Sequence, residues 1–129
     1  MIVCDTNILI EFYKNTSNIV QELHAIGYTH LAISAITQAE LYFGALDKAE
    51  LRKIKTHLSL LTVFPVTNSI SGRFIEIMET YCLSHKLSLP DAMIAATSIH
   101  HHKLYTLNQK DFRFITGISF YQPVTYTSP

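Results

Sequence analysis

Ile2-Val3-Cys4-Asp5-Thr6-Asn7 is the stretch whose reading decides the fold. Ile-Val-Cys is a short apolar run that suits a strand covered on both faces. Asp-Thr-Asn breaks the run, and Asn7 is a good N-cap for the apolar-periodic segment Ile8–Tyr13 that follows. A strand, an acidic turn and a helix open a parallel α/β unit, and in such a sheet that turn faces the crevice where ligands bind. Taken alone, Asp5 is equally well explained as a turn or capping residue. Its meaning depends on which other acids the chain brings to it.

Working outward, the alternation continues. Ile19–Ile26 predicts a second short helix, with Val20, Leu23 and Ile26 inward and Gly27 as its stop. His30–Ile36 reads as a second buried strand, after which Ser34 or Thr37 caps a helix running through Leu46. The next helix begins near Asp47 and carries Leu51, Ile54, Leu58 and Leu61 at helical spacing. Thr62–Val66 is a short strand whose Pro65 places it at the edge of the sheet. The longest helix spans Ile70–His85, and Ser88-Leu89-Pro90-Asp91 is a helix start, with Ser as cap and Pro in the first turn. Ala92–Ile99 is small and apolar almost all round, which predicts a deeply buried helix. Leu104–Leu107 is a fourth strand, Asn108–Phe112 a polar turn and Ile118–Tyr121 a fifth strand. The expectation is one α/β domain over residues 1–123, a three-layer α/β/α architecture around a mostly parallel five-stranded sheet, with a tail over residues 124–129.

Composition fits that expectation. A chain of 129 residues with 48% hydrophobic content can bury a real core as one domain. No apolar run reaches the length of a membrane span, and Met1 leads straight into the first strand, leaving no room for a secretory leader. Cys4 and Cys82 make neither a disulfide framework nor a zinc spacing, so residence in the cytoplasm is expected. Ten basic residues balance ten acidic ones, so overall charge announces no nucleic-acid binder. Basic residues do crowd locally: Lys48, Arg52, Lys53, Lys55 and His57 share one helix, and Lys103, Lys110 and Arg113 gather near the last turn. Each group is a solvated face or a phosphate contact.

Three more acids matter. Glu40 falls on a face with Ile36 and Phe43, close to Ala39 and Leu46, and no basic residue lies one turn away. A carboxylate on an apolar stripe must find a cation or donors elsewhere, or snorkel at the stripe's margin. Asp91 sits in the first turn of the most apolar helix, where the helix N-terminus stabilises negative charge. Asn108 ends the fourth strand, and Asp111 follows as an outer contributor or a turn cap. If Asp5, Glu40 and Asp91 converge, their mutual repulsion calls for a divalent cation, and an all-oxygen set suits Mg²⁺ or Mn²⁺ rather than zinc. Such a site performs metal-assisted hydrolysis of a phosphodiester.

Four segments in order then resemble a known family: Ile2-Val3-Cys4-Asp5-Thr6-Asn7, Thr37 through Gly44, Leu89 through Ala96, and Leu104 through Phe112. They are similar to the PIN-domain nucleases, and within them to VapC-type toxins of toxin–antitoxin systems. The resemblance covers almost the whole chain. It implies a Mg²⁺- or Mn²⁺-dependent endoribonuclease acting on RNA, held inactive by a cognate VapB-like antitoxin and commonly homodimeric. It matches Asp5, Glu40 and Asp91 to the family's metal-binding acids and Thr6 to the small hydroxyl residue beside the first. Asn108 departs from the aspartate that many relatives carry there. The resemblance also implies an apolar groove for an antitoxin helix, for which Tyr42, Phe43, Leu46 and Leu51 are candidates, although core packing explains each equally well.

Two other functions compete. A haloacid-dehalogenase phosphatase also begins with a strand-end aspartate, but it wants a second acid two residues later, where this chain has Asn7. A catalytically weak or inactive module that binds RNA or a partner would account for Asn108. His100-His101-His102 invites a metal, yet consecutive helical residues point about 100° apart and do not readily share an ion. Basic side chains at a helix C-terminus are the ordinary account. Tyr42, near Glu40, is a candidate for base stacking.

Overall fold

In the computed structural model, which describes residues 1–124, four parallel strands form a sheet in the order β3-β2-β1-β4. These are β1 (Ile2–Cys4), β2 (Leu31–Ser34), β3 (Thr62–Phe64) and β4 (Lys103–Tyr105). The helices are α1 (Thr6–Tyr13), α2 (Ser17–Ile26), α3 (Ala35–Phe43), α4 (Lys48–Leu58), α5 (Asn68–Tyr81) and α6 (Leu89–Ser98). The strand containing Thr62 lies at an edge of the sheet, as Pro65 implied. The expected tail over 124–129 lies, beyond Val124, outside the described residues.

Strand alternation divides the core in two. Val3, Ala32 and Leu104 face one side, where they pack with Ile70, Ile77, Ala92, Ala95, Ala96 and Phe112, mostly from α5 and α6. Cys4, Leu31, Ile33 and Tyr105 face the other, against Ile8, Leu9, Ile19, Leu23, Ile54 and Leu58 from α1, α2 and α4. Every residue of β2 is buried, which is why that run reads as continuous rather than alternating. On α6, Ala92 and all of Ile94–Ser98 are buried. The small side chains let this helix lie deep in its layer.

Three expectations are corrected. The sheet has four strands, not five: Ile118–Tyr121 contributes a single bridge, Leu104 to Phe120. Two backbone bonds make it, Leu104 N to Ser119 O at 2.8 Å and Tyr121 N to Leu104 O at 2.9 Å. The run starts just after the Gly117 turn, at φ +92°, and Pro123 follows it, so little of it can pair. The N-cap of α1 is Asp5, not Asn7. The helix predicted to run through Leu46 stops at Phe43 with Gly44 as C-cap. The apolar face drawn through Glu40 therefore ends in solvent: Phe43 is 94% and Leu46 86% exposed.

Candidate active site

All four strands run the same way, so their carboxyl ends share one edge, and the acids gather there. Backbone pairing sets Asp5: its N–H donates to the carbonyl of Tyr105 at 2.9 Å, continuing the β1–β4 ladder one residue beyond the strand. The residue is buried, at 6% exposure. Oδ1 accepts the backbone N–H of Thr6 at 2.7 Å, capping α1, and Oδ2 accepts the hydroxyl of Thr106 at 2.7 Å. Burial raises the Asp5 pKa; the hydrogen bonds from Thr106 and Thr6 oppose this, and repulsion from Glu40 and Asp111 adds to it.

Glu40 reaches the same edge from α3, which Ser34 caps by accepting from the Ile36 N–H at 3.2 Å. The donor it needs is a hydroxyl rather than a cation: Thr6 Oγ1 donates to Glu40 Oε1 at 2.8 Å. Thr6 Oγ1 also lies 2.9 Å from Thr37 Oγ1. Having given its one proton to Glu40, Thr6 takes that of Thr37. Asp91 enters on the first turn of α6, where Ser88 Oγ accepts its backbone N–H at 3.2 Å. Its pKa is pushed up to about 6, first by burial and then by repulsion from Asp5, with Asp111 and Glu40 adding to it and a Ser88 hydrogen bond opposing it.

Asp111 lies on a short 3-10 turn over Gln109–Asp111 and is exposed, yet its charge reaches both Asp5 and Asp91. Asn108 is exposed as well, and its backbone N–H donates to Thr106 Oγ1 at 3.1 Å. The sequence marked Thr37 only as a possible helix cap, a place Ser34 takes, and gave Thr106 no role. Thr106 is found only by knowing that β1 and β4 are neighbours, because Cys4 pairs with Tyr105 and the following residues then stand side by side.

Among the described residues, no Lys, Arg or His forms an ion pair with any of these acids; the pair Glu11–Lys14, at 3.5 Å, lies on α1. Nor, among those residues, do three His, Cys, Asp or Glu side chains make a finished cage for one ion. That arrangement still fits a hard cation of the magnesium type, which keeps several waters and takes one or two carboxylates. Every donor here is oxygen, the acids repel one another, and Asn7 Oδ1, two residues from Asp5, is buried with no hydrogen-bond partner.

A model of the PIN domain matches residues 2–114. The chain belongs to the PIN-domain family. The haloacid-dehalogenase alternative gives way to that match. Among solved structures, this PIN domain is similar to a chain of a toxin–antitoxin complex from Klebsiella pneumoniae, at 32% identity and TM-score 0.77, covering 96% of this chain and 100% of that one. It is also similar to VapBC-1 from nontypeable Haemophilus influenzae, at 25% identity and TM-score 0.75, with 95% and 98% covered. VapBC2 from Rickettsia felis, bound to a DNA fragment from its promoter, shares the fold at 24% identity and TM-score 0.79, with 94% and 98% covered. No curated protein matches the sequence. Among the described residues, no helix of this PIN domain is long and apolar enough to cross a membrane.

Proposed function

We propose that this PIN domain is a Mg²⁺- or Mn²⁺-dependent endoribonuclease and the toxin of a toxin–antitoxin pair. The observation that carries the reading is Asp91: a half-buried carboxyl whose pKa is pushed up to about 6 by burial and then by repulsion from Asp5, Asp111 and Glu40, with no Lys, Arg or His paired to it among the described residues. Asp5, Glu40 and Asp91 would hold the cation. When bound, it supplies a site for a phosphate oxygen and an acidified water for attack on phosphorus.

The protein's own groups do the rest. Thr106 and the Thr6 N–H each hold one oxygen of Asp5, and among the described residues no Lys or Arg pairs with it. Thr37 and Thr6 orient Glu40 through a relay of hydroxyls. Asp91 releases its proton on binding, so affinity for the cation rises with pH through about 6. Asp111 acts from outside through its charge, and Asn108 through its backbone contact to Thr106.

The toxin reading draws on the Klebsiella pneumoniae and Haemophilus influenzae complexes. Exposed Phe43 and Leu46, just past Glu40, are the apolar surface on which an antitoxin helix would rest, with Tyr42 and Leu51 partly buried beside them. A homodimer in the cytoplasm completes the proposal. A catalytically inactive RNA- or partner-binding module is the second reading, favoured by Asn108, whose amide brings no charge to the edge.

The test is RNA cleavage by purified protein with Mn²⁺, with and without chelator, beside Asp5→Asn. Cleavage abolished by either treatment is expected. Cleavage surviving both overturns the metal mechanism, and RNA binding without cleavage selects the binding module.

A further inference from the structure

At the opposite end of the sheet, the amino ends of β1 and β4 border a cavity of about 660 Å³. His30, His100, His101, His102 and Lys103 line it, with Ile2 and Ile26 as apolar walls; among the described residues no acidic side chain does. The cavity opens broadly to solvent, so a ligand there would rest in a surface depression rather than an enclosed pocket.

The loop that presents the histidines is constrained. His100 has φ +71°, uncommon for a residue with a side chain. Its N–H donates to the carbonyl of Gly117 at 3.3 Å, and its ring fills the space that a side chain there would need: a Cβ on Gly117 would stand 2.6 Å from the imidazole Cε1. His102 stacks on Phe64 with ring centroids 4.9 Å apart. Its Nδ1 is buried without a hydrogen-bond partner, and so is Nε of Arg73, whose Nη1 meets the Ile99 carbonyl only at 3.5 Å. Unmet buried donors and acceptors beside a strained loop mark a place that a ligand can complete.

The histidines do not converge as metal ligands would. Ring centroids of His100 and His101 are 6.5 Å apart and those of His101 and His102 6.4 Å. No three such groups among the described residues are set to hold one ion. What they offer is a spread of N–H donors beside a lysine, which suits several oxygens on one anion.

We propose that this cavity binds a phosphate group, free or carried on a small organic molecule whose body rests on Ile2 and Ile26. The four imidazoles and Lys103 would donate to the phosphate oxygens. Lys103 on β4 and His30 before β2 line the same cavity, while burial first, and then the amino group of Met1, His101 and Arg73 on α5, hold the His102 pKa down. A bound anion relieves their repulsion. This site stands apart from the acids and does not depend on the nuclease reading.

The test keeps chelator present and titrates inorganic phosphate, and separately AMP, into the full chain, with histidine-ring NMR and calorimetry as readouts. Resonances of His30, His100, His101 and His102 should move together while those of His24, His57 and His85 stay. Affinity should fall as salt is raised, because the contacts are charge-assisted. His101→Ala with Lys103→Ala, both exposed positions, should weaken binding about tenfold or more at an unchanged melting temperature. Tighter binding of AMP than of phosphate assigns the site to a phosphorylated molecule, and equal binding to the free ion. Uniform movement of all histidines, affinity indifferent to salt and to the double variant, or binding abolished by Asp91→Asn would each overturn the proposal.

Discussion

Asp91→Asn gives the sharpest measurement. The folded chain holds a proton on Asp91 up to about pH 6, whereas the ordinary carboxyl value is 3.8. Between those values the folded state binds more protons than the unfolded state, so stability falls as pH rises through that window and levels off above it. The gap of about two pH units corresponds to roughly 3 kcal/mol at 1.36 kcal/mol per unit. Asp91 is only half-buried, and solvent screening brings the effect to about 1–2 kcal/mol. Asparagine keeps the shape and cannot ionise. Without divalent ions at pH 7.5, Asp91→Asn should therefore unfold about 1–2 kcal/mol harder than the parent, a rise in Tm of roughly 3–10 °C for a chain this size. Near pH 4 the two should melt together. Millimolar Mg²⁺ or Mn²⁺ should then raise the Tm of the parent and leave the variant almost where it was. Thermal melts across pH, with and without the cation, decide it. A variant less stable than its parent at pH 7.5, or a difference that ignores pH, would show that Asp91 serves the fold as a charged cap and refute the reasoning.

Three further outcomes are expected. Thr106→Val deprives Asp5 Oδ2 of its donor; it should cost about 1–3 kcal/mol in denaturant unfolding, and cation affinity should drop about tenfold or more in calorimetry. Asn108→Asp adds a charge to an already repulsive edge, so the metal-free Tm should fall above pH 6 while Mn²⁺ affinity rises in titration; unchanged values would put residue 108 outside the site. Phe43→Lys with Leu46→Lys should leave stability within about 0.5 kcal/mol, because both side chains are exposed, yet weaken binding of a cognate antitoxin in a pull-down or calorimetric assay.

What the sequence disclosed follows from how local each signal is. Asp5 was legible because an apolar run ends on it, and Asp91 because Ser88 and Pro90 announce a helix start. Glu40 was singled out through an apolar face whose far end, Phe43 and Leu46, proves to be in solvent; its donor, Thr6, belongs to another helix. Thr106 lies 101 residues from Asp5 in the chain, and only the β3-β2-β1-β4 order makes them neighbours. The choice between Asp5 and Asn7 as cap turns on one bond between neighbouring strands, from Asp5 N–H to the Tyr105 carbonyl, which no local propensity encodes. The missing fifth strand has the same character: Ile118–Tyr121 has strand composition, and the neighbouring Gly117 turn and Pro123 leave it one bridge.

Because Oδ1 of Asp5 starts a helix while Oδ2 is tethered to Thr106, this residue has two separable duties. Asparagine starts a helix about as well as aspartate does, but alanine forfeits roughly 0.5–2 kcal/mol. If the proposed function holds, a gene copy carrying Asp5→Asn would encode an inert decoy, still folded and still able to titrate away whatever restrains the active copy. An alanine copy would confound loss of reactivity with loss of the protein itself.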